Sequence, residues 1–224
     1  MDVSTGAPAQ TLPFRFTGTA RQYFGIWIVN LLLTILTLGV YAAWAKVRTK
    51  RYFYGNTVLD GTTFDYLAKP ITILKGWAVA ITVLIVYNIV TGLYPITAIP
   101  LSIAFLIALP WIVVRSMSFR ARNSSYRNIR FTFDNAYREA IRVFVGLGLL
   151  ISITLGMAMP YYIYAMNRFF VNNSGFGTRG FQMDATAKAF YKIYFVAGLL
   201  FIGFVALAGT VMIPVAQDMV AELQ

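Results

Sequence analysis

The chain has 224 residues, of which 58% are hydrophobic and only 12% are charged, and its mean hydropathy is +0.66. A soluble domain of this length could not bury so much apolar surface, so the sequence predicts an integral membrane protein. The formal net charge is +11, and the absence of Cys and His excludes disulfides, thiolate nucleophiles, His general bases and metal sites built on those residues.

The first half of the chain begins with a polar segment and then becomes apolar. Residues 1–13 are mostly small and polar and predict a disordered tail. Residues 14–18 alternate aromatic and polar side chains and then reach a glycine, which predicts a short strand. Residues 23–45 are apolar over the length of a membrane-spanning helix. Residues 52–66 contain Gly-Asn and Asp-Gly pairs among aromatic residues, which predicts a β-ribbon.

Two further apolar stretches follow. Residues 77–94 predict a second span, and residues 101–114 predict a third span that is kinked at Pro110. An uncharged turn over residues 94–100 joins them. The expected fold is an all-α polytopic membrane protein with about five to seven apolar helices and small β-ribbons at the cytosolic face.

Basic residues cluster where the apolar stretches end. Aromatic residues border the same points, which is typical of a membrane interface. These cations predict contact with anionic lipid headgroups at the cytosolic face, although they could also serve only to set the topology. Nucleic acid is a poor partner, because apolar runs separate the basic clusters. The candidate headgroup contacts are Lys46, Arg48, Lys50, Arg51, Arg115, Arg120 and Arg122.

An internal repeat is predicted at a spacing of 117 residues. Without a gap, this shift superposes Thr37-Leu38-Gly39 on Thr154-Leu155-Gly156, and it aligns further aromatic, basic and asparagine landmarks. The expected organisation is a first membrane unit over residues 14–130 and an incomplete second unit over residues 131–224. A chance alignment of two apolar segments with basic flanks is the alternative.

The repeated Thr-Leu-Gly leaves two topologies open. The first is one continuous helix over residues 23–45, which would leave one basic loop outside the cell. The second is a pair of half-length helices that bends back, and the candidate hinge residues are then Thr37 and Gly39, with Thr154 and Gly156 in the second copy. The bent arrangement places every basic loop in the cytoplasm, as the positive-inside rule prefers.

The sequence offers no residues for catalysis, cofactor binding or metal binding, so a non-enzymatic protein is expected. Its acids lie outside the predicted spans, and no phosphate-binding or nucleophile motif occurs. The preferred functional hypothesis is a transport or permeation component, which a polar cavity lined by Asn30, Thr34 and Asn88 would support. The alternative is a non-catalytic membrane-structural or lipid-organising protein. A homo-oligomer is compatible with both.

The N-terminal motifs resemble a known family. They are Phe-Arg-Phe-Thr-Gly at 14–18, Tyr-Phe-Gly-Ile-Trp at 23–27, Leu-Thr-Leu-Gly-Val-Tyr at 36–41, Trp-Ala-Lys-Val-Arg at 44–48, Arg-Tyr-Phe-Tyr-Gly-Asn-Thr at 51–57 and Leu-Asp-Gly at 59–61. This series is similar to the YjgN-like family of bacterial inner-membrane proteins. The resemblance implies a multi-pass inner-membrane protein and implies no reaction. Family members continue further, so a short member and an incomplete chain are both expected alternatives.

Overall fold

The structure is a computed structural model that describes residues 12–221, with side chains up to residue 210. The chain forms two compact units. The first contains residues 12–137 together with Asn173–Phe181, and the second contains Arg138–Asn172 together with residues 182–221.

The first unit contains a helical hairpin followed by two long helices. Helices α1 and α2 pack against each other, and the Tyr52 hydroxyl donates a hydrogen bond to the Thr19 carbonyl (2.9 Å), so the start of α1 lies beside the end of α2. The bent alternative is therefore the one observed, and the continuous helix over residues 23–45 is not. The helices of this unit are α1 (Ala20–Leu36), α2 (Ala42–Gly55), α3 (Pro70–Leu93) and α4 (Ala98–Arg122), with a short 3₁₀ turn (Pro95–Thr97) before α4.

One antiparallel sheet of seven strands lies in the first unit. The seven strands pair in sequence order, so each strand has its chain neighbours as partners. The separate ribbons that we predicted are thus joined, because β3 also pairs with β4 and places Phe64 opposite Tyr126. The strands are β1 (Phe14–Phe16), β2 (Thr57–Leu59), β3 (Thr62–Tyr66), β4 (Ser124–Tyr126), β5 (Ile129–Phe133), β6 (Ser174–Phe176) and β7 (Arg179–Gly180).

Aromatic side chains hold this sheet together across its strands. The Phe64 ring lies 4.8 Å from the Tyr126 ring and 6.4 Å from the Phe131 ring, measured between centroids. Phe131 in turn lies 5.1 Å from Phe176. Such pairs contribute about 0.5–1.5 kcal/mol each beyond their buried area, which matters in a sheet of strands this short.

The buried core of the first unit lies where α2 packs on β3 and α3. Ala43 and Val47, one helical turn apart on α2, are buried together with Tyr66, Ala68 and Ile73. The two alanines allow close approach of the backbones. The face of α2 that bears Ala43 and Val47 packs on β3 and α3, and a neighbouring face packs on α1.

Three helices among the described residues are long and apolar enough to cross a membrane. They are Pro70–Leu93, Pro95–Arg122 and Ala187–Thr210, with mean hydropathies of 2.0, 2.3 and 2.2. The third predicted span lies within Pro95–Arg122, and the second lies within Pro70–Leu93 except for its last residue, Tyr94. Pro110 lies inside α4 without ending it. The apolar side chains of these three helices are mostly exposed on the isolated chain, which lipid would cover.

The second unit contains another hairpin and one long helix. Its aromatic packing centres on Phe169, which is fully buried, and the Phe144 ring meets the Phe169 ring edge-on at 5.6 Å. A π-helical segment (Ile141–Gly146) interrupts the first arm. The helices in order are α5 (Tyr137–Ala140), α6 (Leu147–Ile153), α7 (Met159–Asn172) and α8 (Ala187–Ala221).

Candidate functional site

The bend between α1 and α2 is a glycine-dependent turn. Leu38 and Gly39 have positive φ angles of 50° and 92°, which only glycine adopts at little cost. The Gly39 amide donates to the Thr34 carbonyl (2.8 Å), and the Tyr41 amide donates to Thr37 Oγ1 (2.9 Å). These bonds satisfy backbone groups that the end of α1 and the start of α2 would otherwise leave unpaired.

The second hairpin has the same turn. Leu155 and Gly156 have φ angles of 49° and 89°. The Gly156 amide donates to the Ile151 carbonyl (2.9 Å), and the Ala158 amide donates to Thr154 Oγ1 (3.1 Å). The four predicted hinge residues therefore lie at the two bends, and movement at these bends stays a prediction.

A groove of about 350 Å³ lies between the two arms of the first hairpin. We call it the α1–α2 groove. Its surface is mostly apolar, although the lining includes residues with amide, hydroxyl and ammonium side chains, and none of the described residues that line it is acidic. Its lining residues are Trp27, Asn30, Leu31 and Thr34 from α1, and Ala45, Lys46, Thr49 and Lys50 from α2.

Asn30 is the buried polar residue of the α1–α2 groove. Its side chain is 6% exposed, and its Nδ2 donates to the Ala45 carbonyl and to Thr49 Oγ1, both at 3.4 Å. Its Oδ1 is buried and has no hydrogen-bond partner among the described residues. A buried acceptor without a donor costs about 1–3 kcal/mol, so Asn30 is a costly residue for the hairpin alone.

Two lysines of the groove are held by aromatic rings. Lys46 Nζ lies 5.4 Å from the centroid of Trp77, and Lys50 Nζ lies 5.8 Å from the centroids of both Tyr54 and Tyr66. Burial raises the pKa of the Tyr66 phenol, the neighbouring Tyr54 adds to this shift, and Arg120 opposes it. The phenol therefore stays neutral, and the rings orient the ammonium groups by cation–π attraction.

The other predicted headgroup contacts lie outside the α1–α2 groove. Arg48 is exposed on α2, and Arg51 Nε donates to the Tyr66 carbonyl (3.3 Å). The Arg115 guanidinium lies 5.6 Å from the Trp111 centroid, and Arg120 and Arg122 are exposed in the last turn of α4. Only Lys46 and Lys50 of the seven line the groove, and contact of any of them with lipid stays a prediction.

The polar set that we expected in a cavity is only partly brought together. Asn30 and Thr34 share the α1–α2 groove, whereas Asn88 is exposed and its Nδ2 donates to the Leu84 carbonyl of its own helix (2.7 Å). Sequence reasoning missed Thr49 as a partner of Asn30. Folding the sequence back at Gly39 would have indicated it, because that bend places α2 opposite α1.

Comparison with known proteins agrees with this architecture. The family described as "Bacterial protein of unknown function (DUF898)" matches residues 11–224. The chain belongs to this family. It is 27% identical to the inner membrane protein YjgN of Salmonella typhimurium strain LT2, over 92% of the chain and 60% of that relative. It is 30% identical to YjgN of Escherichia coli O157:H7, over 64% of the chain and 36% of that relative.

These matches locate the chain in the bacterial inner membrane. The YjgN protein of Escherichia coli strain K12 is likewise 30% identical over 64% of the chain. The chain spans about 60% of the length of the Salmonella relative that it matches. No solved structure gives a significant match. Family membership and the three apolar helices together make this an inner-membrane protein of a family without a known function.

Proposed function

We propose that this protein organises anionic lipids at the cytosolic surface of the inner membrane. The observation that carries the proposal is the charge of its first four helices. None of α1, α2, α3 and α4 contains an acidic residue, while α2 and α4 carry the basic clusters. Each such cation contributes on the order of 1 kcal/mol of attraction to an anionic leaflet.

The connections of the first unit support a position of most of these cations near one membrane surface. Strand β2 begins two residues after the end of α2, and β4 begins two residues after the end of α4. The start of α3 follows β3 closely as well. The sheet therefore lies at one end of these helices, and its basic surroundings favour the cytoplasmic side.

The helical hairpins would enter the bilayer and return. The 17 residues of α1 extend about 26 Å and the 14 residues of α2 about 21 Å, which is short of a hydrocarbon core about 30 Å thick. Leu38 at the bend is 96% exposed on the isolated chain, and Leu155 at the second bend is 94% exposed. Apolar tips of this kind favour insertion into lipid.

We also propose that the two halves of the chain are copies of one unit. A shift of 117 residues carries α2 (Ala42–Gly55) onto α7 (Met159–Asn172), and β2 (Thr57–Leu59) onto β6 (Ser174–Phe176). It also carries the start of α3 onto the start of α8. Coincident boundaries and coincident bends support a repeat, as they do in many membrane proteins.

The lipid content of the purified protein tests the lipid-organising function. The full chain would be extracted from bacterial membranes in a mild detergent, and its retained phospholipids would be compared with those of the membrane. We expect enrichment of anionic lipids, and partial loss of that enrichment in the double variant Arg120→Gln, Arg122→Gln. Retained lipid with the same composition as the bulk membrane would refute the proposal.

A permeation component is the second candidate, and the two returning hairpins favour it. Short helices that end inside the bilayer occur where a protein lines a pathway for solutes. Flux of small solutes into proteoliposomes that contain the purified chain would support this candidate. The lipid-organising function predicts the same passive leak as in protein-free vesicles.

A further inference from the structure

The α1–α2 groove carries polar groups that the fold of a hairpin does not require. At the positions 117 residues later, Leu147 stands for Asn30 and Met166 stands for Thr49, yet α6 and α7 still form a hairpin with the same turn. Ile163 likewise stands for Lys46. Inside a hairpin that enters the bilayer, a lysine is costly, and so is a buried amide whose oxygen has no partner. Their presence therefore indicates a bound ligand.

The depth of the groove indicates that this ligand is a lipid. Lys46 lies four residues after the start of α2, close to the bend, and Lys50 lies one turn nearer to the sheet. Ten residues separate Lys46 from Asn56, where the helix ends, which is about 15 Å of helix. Under the proposed membrane arrangement, the groove runs from the level of the headgroups down to the acyl chains.

The lining selects the headgroup. Two lysines without an acidic neighbour in the groove favour a phosphate and disfavour a headgroup that also carries an ammonium. The Oδ1 of Asn30 is an acceptor without a donor, and an ionised phosphodiester has no donor to offer. Because Oδ1 has almost no accessible surface, a headgroup hydroxyl reaches it only when the Asn30 side chain turns toward the groove and gives up its two long hydrogen bonds of 3.4 Å. Trp27 and Leu31 offer the apolar wall for an acyl chain.

We propose that the α1–α2 groove binds one anionic phospholipid whose headgroup bears a hydroxyl. The phosphate lies between Lys46 and Lys50, and the headgroup hydroxyl donates to Asn30 Oδ1 once this side chain has turned toward the groove. This site deepens the proposed lipid-organising function and rests on it, because it assigns one specific lipid molecule in place of a general surface attraction.

Lipid titration followed by native mass spectrometry tests the site. The full chain in detergent would be titrated with phosphatidylglycerol at physiological salt, and the variants Lys46→Gln and Lys50→Gln would be compared with Arg21→Gln. Arg21 is the control, because it is an exposed cation on the other arm of the same hairpin, outside the groove and outside the basic clusters of α2 and α4. We expect each lysine variant to weaken binding about fivefold, and the control to weaken it less than about twofold.

The headgroup hydroxyl is tested with a lipid that lacks it. Phosphatidylmethanol has the same charge as phosphatidylglycerol and no headgroup hydroxyl. We expect the native chain to prefer phosphatidylglycerol severalfold, and Asn30→Leu to abolish that preference while retaining affinity for phosphatidylmethanol. Soluble glycerol phosphate should not displace the lipid, because it cannot use the apolar wall.

The outcomes separate this inference from the proposed function. Equal weakening in Arg21→Gln and the lysine variants would refute the groove and leave general attraction of anionic lipid intact. Absence of any anionic-lipid binding would refute both. Displacement by equimolar glycerol phosphate would show a site for soluble phosphates, which also overturns the inference. Lys46→Arg should bind as the native chain does, since it keeps the charge, and this shows that a weak Lys46→Gln variant is not merely misfolded.

Discussion

The two helical hairpins share their bends and differ in their linings. At the bends, Leu38 and Gly39 have φ angles of 50° and 92°, and Leu155 and Gly156 have 49° and 89°. In both hairpins, a threonine hydroxyl accepts a hydrogen bond from the backbone amide four residues later. The Thr-Leu-Gly triplet therefore determines how the chain reverses, independently of what the arms carry.

The arms of the two hairpins meet through different side chains. In the second hairpin, the Phe144 ring packs on Phe169 and Phe170 at 5.6 Å and 5.9 Å. In the first hairpin, Asn30 reaches the opposite arm with two long hydrogen bonds, and a groove remains. The comparison teaches that a hairpin needs the bend and apolar contact, so the polar lining of the first one calls for a functional explanation.

The largest expected effect is on the shared bends. Valine at Gly39 or Gly156 would have to adopt a left-handed conformation that a β-branched residue almost never shows. We expect Gly39→Val and Gly156→Val each to cost about 2 kcal/mol, or about 4–8 °C in the midpoint of thermal unfolding. Gly25→Ala is the control, because a Cβ there meets nothing within 4 Å. If only one of the two valine variants lost stability, the two bends would not be equivalent.

Much of this architecture follows from the amino-acid sequence. Of the apolar stretches over residues 77–94 and 101–114, all but Tyr94 lies inside α3 or α4, because length and hydropathy suffice to define a spanning helix. The Asp60-Gly61 pair predicts a turn between strands, and both residues have positive φ angles. Local chemistry determines each of these features.

Features that depend on distant contacts could not be predicted. Pairing of β3 with β4 joins residues about sixty positions apart, such as Phe64 and Tyr126, and no local pattern specifies such a partner. The sequence left open whether Lys46 lies at the end of a single span or in the second arm of a hairpin, and the structure shows it near the start of α2. The meeting of Asn30 with Thr49 depends on that bend and was not predicted.

An exchange of the matched residues Asn30 and Leu147 has the next largest expected effect. Asn30→Leu removes a buried acceptor that has no partner, so we expect the free energy of unfolding to stay equal or rise by up to about 1 kcal/mol. Leu147→Asn introduces an amide into the second hairpin, where Met166 stands at the position that matches Thr49 and offers no hydroxyl. We expect the free energy of unfolding to fall by about 1–2 kcal/mol. Thermal unfolding of both variants in one detergent measures this difference. Destabilisation by Asn30→Leu would mean that the amide is structural.

The threonine caps should give a smaller and equal loss. Thr37→Val removes the acceptor of the Tyr41 amide, and Thr154→Val removes that of the Ala158 amide. We expect each to cost about 1 kcal/mol, measured as a lowered unfolding midpoint, while Thr→Ser at either position retains the hydroxyl and most of the stability. A much larger loss at Thr37 than at Thr154 would indicate that the first bend has a role beyond reversing the chain.

The smallest expected effect concerns the ribbon turn that follows each hairpin. Asp60 occupies this turn after the first hairpin with a φ of 46°, and Gly177 occupies the matched position with a φ of 60°. Asp60 also pairs with Arg127 (2.5 Å), and this hydrogen bond raises the pKa of the Arg127 guanidinium. Asp60→Gly would make the first turn resemble the second.

Two contributions of Asp60 oppose each other in this variant. Glycine relieves a left-handed conformation, whereas loss of an ion pair whose side chains are about half exposed costs little. The Arg127 Nη2 still donates to the backbone carbonyl of residue 60 (3.1 Å), so part of the contact persists without the carboxylate. We therefore expect no measurable change in the unfolding midpoint. Unfolding at low and high salt measures the ionic part, because salt screens an ion pair that only the chain with Asp60 has. A measurable loss of stability, unchanged by salt, would show that Asp60 holds the first ribbon in a way that Gly177 does not hold the second.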